Sequence, residues 1–272
     1  MITSTQNAKV KHVVALQQKS ALRRKEGLFV VEGQRELMHC LEAGYEVVET
    51  FMLADQKDLA EQDMPAWLDM PDKLGTTYRV SPQVYEKMAY RGSTEGVMAV
   101  VREKQLSLED LQLGSAPLIV VLERVEKPGN LGAVLRSADA AKADAVIICD
   151  PLTDLYNPNL IRSSIGAIFS VPCIACSSET CIAFLKAHSI QILTAQLQDS
   201  NLYYDTDMLG GTAIVMGTES TGLTDVWRQA ADAHIRIPML GQLDSLNVSV
   251  SAAILLFEAV RQRQSSNLSK NY

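Results

Sequence analysis

At 272 residues, 47% hydrophobic and 21% charged, the chain has the composition of a globular protein of one large or two ordinary domains. No apolar run reaches the roughly 18 to 20 residues of a membrane span, and the opening residues Met1 to Lys9 lack the apolar core of a secretory signal, so a cytoplasmic protein is expected. The net charge of −7 excludes a protein that is basic throughout, but the charge is uneven: residues 1–35 carry seven Lys and Arg against only Glu26 and Glu32.

That basic start contains Lys9, Lys11, Lys19, Arg23, Arg24 and Lys25. On an acidic body it is either a solvated helix face or a surface that contacts phosphate. Residues 9–25 read as one helix, Leu28 to Val31 as a buried strand, residues 34–43 as a second helix and Val47 to Leu53 as a further strand. Residues 65–74 form an irregular polar connection, residues 82–90 a helix and Val97 to Val101 a strand. Together they make an α/β unit over residues 1–105. The polar stretch 106–117, with Gly114 and Pro117 near its end, is the expected linker.

From residue 118 onward, apolar strands alternate with helical stretches. The strands are residues 118–122, 145–149, 171–175, 190–195, 213–216 and 235–237. Uninterrupted Val and Ile runs of this kind indicate a parallel sheet covered on both faces, and ligands of such sheets bind beyond the carboxyl ends of the strands. Polar residues collect at three of those ends. The first is Glu123 to Arg136, where Gly129, Asn130 and Gly132 open a helix that carries Arg136. The second is Gly217-Thr-Glu-Ser-Thr-Gly222, a tight loop with Glu219 as its carboxylate. The third is Ile237-Pro-Met followed by Ser245-Leu-Asn-Val-Ser249, which leads into an apolar helix over residues 248–260.

Taken singly, these residues have ordinary structural readings. Asn130 after a Gly is a helix cap, Glu219 a loop carboxylate, and Ser245 and Asn247 are acceptors for the open N–H groups of a first turn. The apolar character of the helix that follows favours a buried, pre-organised first turn. No G-x-G-x-x-G dinucleotide fingerprint and no Walker sequence occurs.

Five cysteines scattered through apolar runs read as reduced, buried thiols. Cys173, Cys176 and Cys181 invite a zinc reading, but no fourth ligand stands at a suitable spacing, and no metal site is expected.

Together the three polar segments resemble the SpoU, or TrmH-like, branch of the SPOUT RNA methyltransferases. Asn130, Gly132 and Arg136 match the first motif, Gly217 to Leu223 the Gly-x-Glu-x-x-Gly-Leu second motif, and Ile237 to Met239 with Ser245 to Ser249 the third. Residues 157–166 look like the connecting Pro-x-x-x-Arg-x-Ser-x-Gly segment, and the match runs over about residues 117–263. Residues 1–105 resemble the ribosomal-protein-like RNA-binding domain often fused ahead of this catalytic domain.

The resemblance implies a catalytic domain over residues 118–272 with a deep trefoil knot, working as a homodimer on RNA. It also implies S-adenosylmethionine bent in the knot and held by backbone groups, a role carried onto Gly217, Ile237 and Leu246. Asn130, Arg136, Glu219, Ser245 and Asn247 become the catalytic set. Arg136 is the activator of a ribose 2′-hydroxyl, acting as a phosphate clamp and stabiliser of the forming alkoxide, since a guanidinium keeps its proton. The expected activity is 2′-O-methylation of RNA, with rRNA preferred to tRNA because a separate N-terminal domain is present. A non-catalytic ribosome-assembly factor on the same fold is the alternative. A nucleotide-binding oxidoreductase is disfavoured by the missing fingerprint.

Overall fold

A computed structural model of the chain describes residues 1–54, 70–90, 95–218 and 221–269. It divides into two compact units: Met1–Gln105 with Asp154–Ser170, and Leu106–Thr153 with Val171–Tyr272. No helix among the described residues is long and apolar enough to cross a membrane.

The first unit is built on a four-stranded mixed sheet of β1 (Leu28–Glu32), β2 (Val47–Leu53), β3 (Thr76–Val80) and β4 (Val97–Arg102), in the order β1-β4-β2-β3. β4 runs antiparallel to both neighbours, and β2 pairs in parallel with β3. Helices α1 (Ala8–Gln18), α2 (Ser20–Glu26), α3 (Gln34–Glu42) and α4 (Pro82–Met88) accompany it. Val10, Val13 and Leu16 of α1 close a core with Val30, Phe51, Val84, Tyr85 and Met88. Of the polar connection expected over residues 65–74, residues 65–69 lie outside the described residues, and Pro71–Lys73 is a 3₁₀ turn.

The single helix expected over residues 9–25 is two. Lys19 is extended (φ −118°, ψ 102°) between α1 and α2. The break is stabilised by Arg23, whose Nη1 donates to the carbonyl oxygens of Leu16 and Gln17 and so satisfies acceptors left open at the end of α1.

Two short helices, α6 (Pro158–Ser164) and α7 (Ala167–Ser170), also belong to the first unit. Their segment is held by Asp154, which pairs with Arg23 at 2.6 Å, and by Tyr156, whose ring stacks on Phe29 with centroids 4.2 Å apart. Residues 118–272 are therefore not one continuous unit. The motif over residues 157–166 packs with the N-terminal sheet, and Arg162 lines a cavity there with Glu32 and Glu36.

The second unit holds a seven-stranded sheet of order β7-β6-β5-β10-β8-β11-β9, in which every described pairing is parallel. Its strands are β5 (Leu118–Glu123), β6 (Ala145–Cys149), β7 (Cys173–Cys176), β8 (Gln191–Ala195), β9 (Asn201–Leu202), β10 (Thr212–Met216) and β11 (Ala233–Arg236). Helices α5 (Pro128–Ala140), α8 (Ser178–Ala187), α9 (Asp225–Ala230) and α10 (Val248–Ser269) complete the unit. β5, β6 and β10 are buried along their whole length, as strands covered on both faces must be.

β7 starts at Cys173 because Pro172, which has no N–H, can only accept, from Val146 N at 2.9 Å. β9, of two residues, was not foreseen. Residues 106–117, expected as a linker, pack into this unit: the capping box of Ser107 and Asp110 turns the chain so that Leu108 is buried in its core. Helix α10 packs on α5 and is anchored near its end by Arg263, which donates to the carbonyls of Met208, Gly210, Ala116 and Pro117.

Candidate functional site

The site lies beyond the carboxyl ends of β8, β10 and β11. Beyond β10, Gly217 and Gly222 fold back on each other: Gly222 N donates to Thr218 O at 3.0 Å, and Gly222 has φ +66°. A Cβ on Gly217 would stand 2.2 Å from Gly222 O, so only glycine fits there. Glu219 lies outside the described residues. Beyond β11, the half-buried Ile237, Pro238 and Met239 leave the sheet and lead into an exposed stretch, residues 240–247, that enters α10 at Asn247.

Two adjoining cavities, of about 340 and 140 Å³, share Ala195, Gln196, Leu197, Ser245, Leu246 and Ser251. The larger adds Gly217, Thr218 and Arg228; the smaller adds Ile237 and Met239. All three residues expected to hold a cofactor, Gly217, Ile237 and Leu246, thus line one cleft, and Ser245 lies with them. Gln196 and Arg228 were not foreseen. Gln196 directly follows β8, a strand that its apolar run marks, so its position at a carboxyl end is the available signal.

Both bring unspent hydrogen-bonding capacity. Gln196 Oε1 and Arg228 Nε are buried without a partner among the described residues. A buried acceptor and a buried donor left open beside a cavity are costly unless something fills it. S-adenosylmethionine carries an ammonium and an adenine amine that can donate and a carboxylate that can accept, so the donor set fits that cofactor.

Asn247 caps α10, its Oδ1 accepting from Ser249 N at 2.9 Å and Ser249 Oγ at 2.6 Å, while its Nδ2 donates to Asn130 Oδ1 at 3.2 Å. Ser245 does not cap the helix; its Oγ donates to Asp244 Oδ1 at 3.4 Å. The polar residues expected in a buried first turn lie ahead of the helix and are exposed: Ser245 and Asn247 stand open, whereas Val248, the first residue of α10, is buried. Ala252, Leu255, Leu256 and Ala259 face inward, whereas Leu246, Val250 and Phe257 are 36%, 46% and 48% exposed.

Helix α5 begins at Pro128, a residue pre-set for a first turn, and puts Asn130 in that turn. Arg136 follows about 9 Å further along the axis and about 120° round from Asn130. Its side chain is exposed and makes no hydrogen bond or ion pair among the described residues. The structure therefore brings Asn130 to Asn247 and gathers Gly217, Ile237, Ser245 and Leu246, but does not join Arg136 to either group. Another residue not foreseen is Glu123, buried at the end of β5, which accepts from Thr224 N at 2.8 Å and Thr224 Oγ1 at 2.6 Å at the start of α9.

In the first unit, Lys11, Lys19, Arg24 and Lys25 are exposed, as a phosphate-contacting surface requires. Arg23 is not available: it is 3% exposed and paired with Asp154. Lys9 is paired with Glu49 and lies over the Tyr78 ring, and these neighbours raise its pKa.

The sequence of residues 117–257 matches the SpoU rRNA Methylase family, and residues 7–99 match the MRM3-like substrate binding domain. The chain is 36% identical over 225 residues to the 23S rRNA (guanosine-2'-O-)-methyltransferase RlmB of Pasteurella multocida, covering 80% of this chain and 91% of that protein. It superimposes on a crystal structure of an RNA 2'-O ribose methyltransferase with a TM-score of 0.82 at 37% identity, covering 97% of this chain and 99% of the other. An AdoMet-bound rRNA methyltransferase from Sinorhizobium meliloti superimposes with a TM-score of 0.86 at 28% identity, covering 96% and 97%. With the motifs at the strand ends, a cleft that suits the cofactor and a family match over more than half its length, the chain belongs to the SpoU rRNA methylase family.

Proposed function

We propose that the chain is an rRNA methyltransferase that uses S-adenosylmethionine to methylate a ribose 2′-hydroxyl. The observation that carries this is the cleft lined by Gly217, Ile237, Ser245 and Leu246 together with Gln196 and Arg228, whose Oε1 and Nε are buried without a partner among the described residues. When bound, the cofactor supplies a sulfonium methyl group open to displacement by an oxygen nucleophile.

This chain's residues supply position and charge. Gly217, Ile237 and Leu246 offer a backbone and apolar wall, while Gln196 and Arg228 offer an acceptor and a donor. Arg136 clamps a phosphate of the RNA and stabilises the alkoxide as the hydroxyl proton leaves. Asn130 and Asn247 hold each other and orient the substrate, with Ser245 and Glu219 assigned to the same task. Lys11, Lys19, Arg24 and Lys25 contact phosphates of the RNA, which positions it without reading its sequence.

The protein works as a homodimer, in which a second copy covers α10. Val250, Ile254 and Phe257 lie at helical spacing on one stripe, which is 46% exposed at Val250, half-buried at Ile254 and 48% exposed at Phe257. The trefoil threading of residues after β10 is part of the same reading, and an rRNA substrate is met in the cytoplasm.

The test is methyl transfer from labelled S-adenosylmethionine to rRNA from cells lacking the gene, with 2′-O-methyl positions mapped and the particle mass measured by light scattering. Transfer to one ribose by a dimer is expected. Cofactor and RNA binding without transfer would instead establish the assembly-factor alternative, and a monomer with full activity would remove the dimer.

A further inference from the structure

Five cysteines occur in the chain, and the fold brings three of them together from three elements. Cys149 ends β6, Cys176 ends β7 and Cys181 is the fourth residue of α8; their sulfurs all lie within 4.8 Å of one another. Cys149 and Cys176 are direct partners in the parallel ladder, so their side chains leave the same face of the sheet. Cys173 is three residues before Cys176 on the same strand, and side chains an odd number apart on a strand point to opposite faces. The C-x-x-C spacing is thus a false pair, and the third thiol is one that spacing alone could not supply.

We propose that Cys149, Cys176 and Cys181 form a binding site for one thiophilic metal ion, zinc foremost, outside the cleft assigned to methyl transfer. A zinc ion sits about 2.3 Å from each thiolate, which sets the three sulfurs a little under 4 Å apart. The cluster needs only a small contraction to reach that spacing. Cys149 and Cys181 are fully buried, and Cys176 is half-buried, which leaves one side open for entry of the ion and for a water as fourth ligand.

The surrounding hydrogen bonds fix the elements that carry the sulfurs. Asp150, next to Cys149, donates from its backbone N to Cys176 O at 2.9 Å and accepts at Oδ2 from Ser178 Oγ at 2.6 Å. Ser178 Oγ in turn accepts from the buried Trp227 Nε1 at 3.0 Å. One chain of bonds therefore ties β6, β7, α8 and α9 around the thiols, the kind of support that orients metal ligands. Cys181 also stands near the N-terminus of α8, where the open N–H groups favour negative charge. Binding exchanges thiol protons for the ion, which are released to solvent, and no redox step is involved.

The test uses the reduced full-length protein, titrated with Zn²⁺ and with Cd²⁺ against a chromophoric chelator. One equivalent per chain is expected, with a sulfur-to-cadmium charge-transfer band that survives Cys173→Ser and is lost in Cys176→Ser and Cys181→Ser. On the unmodified protein, equimolar zinc should slow alkylation of Cys176 and leave that of Cys173 unchanged, which decides the matter even where a serine variant fails to fold. No uptake by the unmodified protein, a band that persists in Cys176→Ser, or isolation of the three thiols as a disulfide and one free cysteine would overturn the proposal.

Discussion

Asn247 Nδ2 donates to Asn130 Oδ1 at 3.2 Å, joining the loop that enters α10 to the first turn of α5 across 117 residues of chain. The same Asn247 uses its Oδ1 to cap α10, so one amide serves both jobs. The two can be separated. Asn247→Asp keeps the capping oxygen but removes the donor, whereas Asn247→Ala removes both and should cost about 1 kcal/mol for the lost cap. Denaturation should find the Asp variant close to wild type and the Ala variant weaker, with methyl transfer lowered in both. An Asp variant with full transfer activity would show that the link between the two asparagines orients nothing.

The Arg136 side chain is exposed on α5 and makes no polar contact among the described residues, so its removal should not disturb folding. If it stabilises charge on the ribose oxygen and holds phosphate, Arg136→Ala should leave S-adenosylmethionine binding intact and cut methyl transfer by a factor on the order of 10² to 10³, as expected when one charge-stabilising donor is lost. Arg136→Lys should recover only part, because an ammonium lacks the planar two-point fork. Single-turnover rates with calorimetry of cofactor binding measure both halves. An alanine variant that melts much earlier would make the residue structural.

The sequence was most legible where burial is two-sided. β5, β6 and β10 are continuous Val and Ile runs because both faces are covered, and no other element accommodates them so well. Position at strand ends then marks the segments that hold Gly217, Ile237, Ser245 and Leu246, and the resemblance to the SpoU family is what assigns Gly217, Ile237 and Leu246 to the cofactor. Features that depend on contacts between distant residues were not legible. The break at Lys19 follows from where Arg23 finds its acceptors, and the placing of residues 154–170 follows from Asp154 and Tyr156 meeting partners over a hundred residues earlier. Gln196 and Arg228 belong to no spacing pattern; only the cavity makes their open polar atoms meaningful. The exposure of Asn247 is not legible because the apolar pattern of residues 248–260 predicts a helix packed inside the unit, whereas one stripe of it remains open.

Gly217 and Gly129 provide a paired test of close packing. A methyl group on Gly217 meets the Gly222 carbonyl oxygen at 2.2 Å, an obstacle of backbone that cannot swing aside, whereas Gly129 has open space around it. Gly217→Ala should destabilise by about 1 to 3 kcal/mol, the usual cost of overpacking, and should abolish cofactor binding by opening the loop. Gly129→Ala, in the first turn of α5, should cost nothing in stability. Thermal melts and calorimetry with S-adenosylmethionine compare them, and normal cofactor affinity in Gly217→Ala would remove this loop from the site.

The basic N-terminal segment should separate into two behaviours under mutation. Arg23 is buried and paired with the half-buried Asp154, so Arg23→Gln leaves a carboxylate without its partner and two carbonyls without their donor. Breaking a buried pair on one side costs about 3 to 5 kcal/mol, and the variant should lose stability before it loses anything specific to RNA. Lys9 should behave partly in the same way, since Glu49 and the Tyr78 ring already engage its ammonium. Lys11, Lys19, Arg24 and Lys25 are exposed, and their change to Gln should leave the melting temperature alone. RNA affinity should fall with each, and the slope of log affinity against log salt should flatten by about 0.7 to 0.9 per lost phosphate contact. Cofactor affinity should not change. If the four-fold variant binds RNA with the slope of the unmodified protein, these side chains are a solvated helix face and the RNA runs elsewhere.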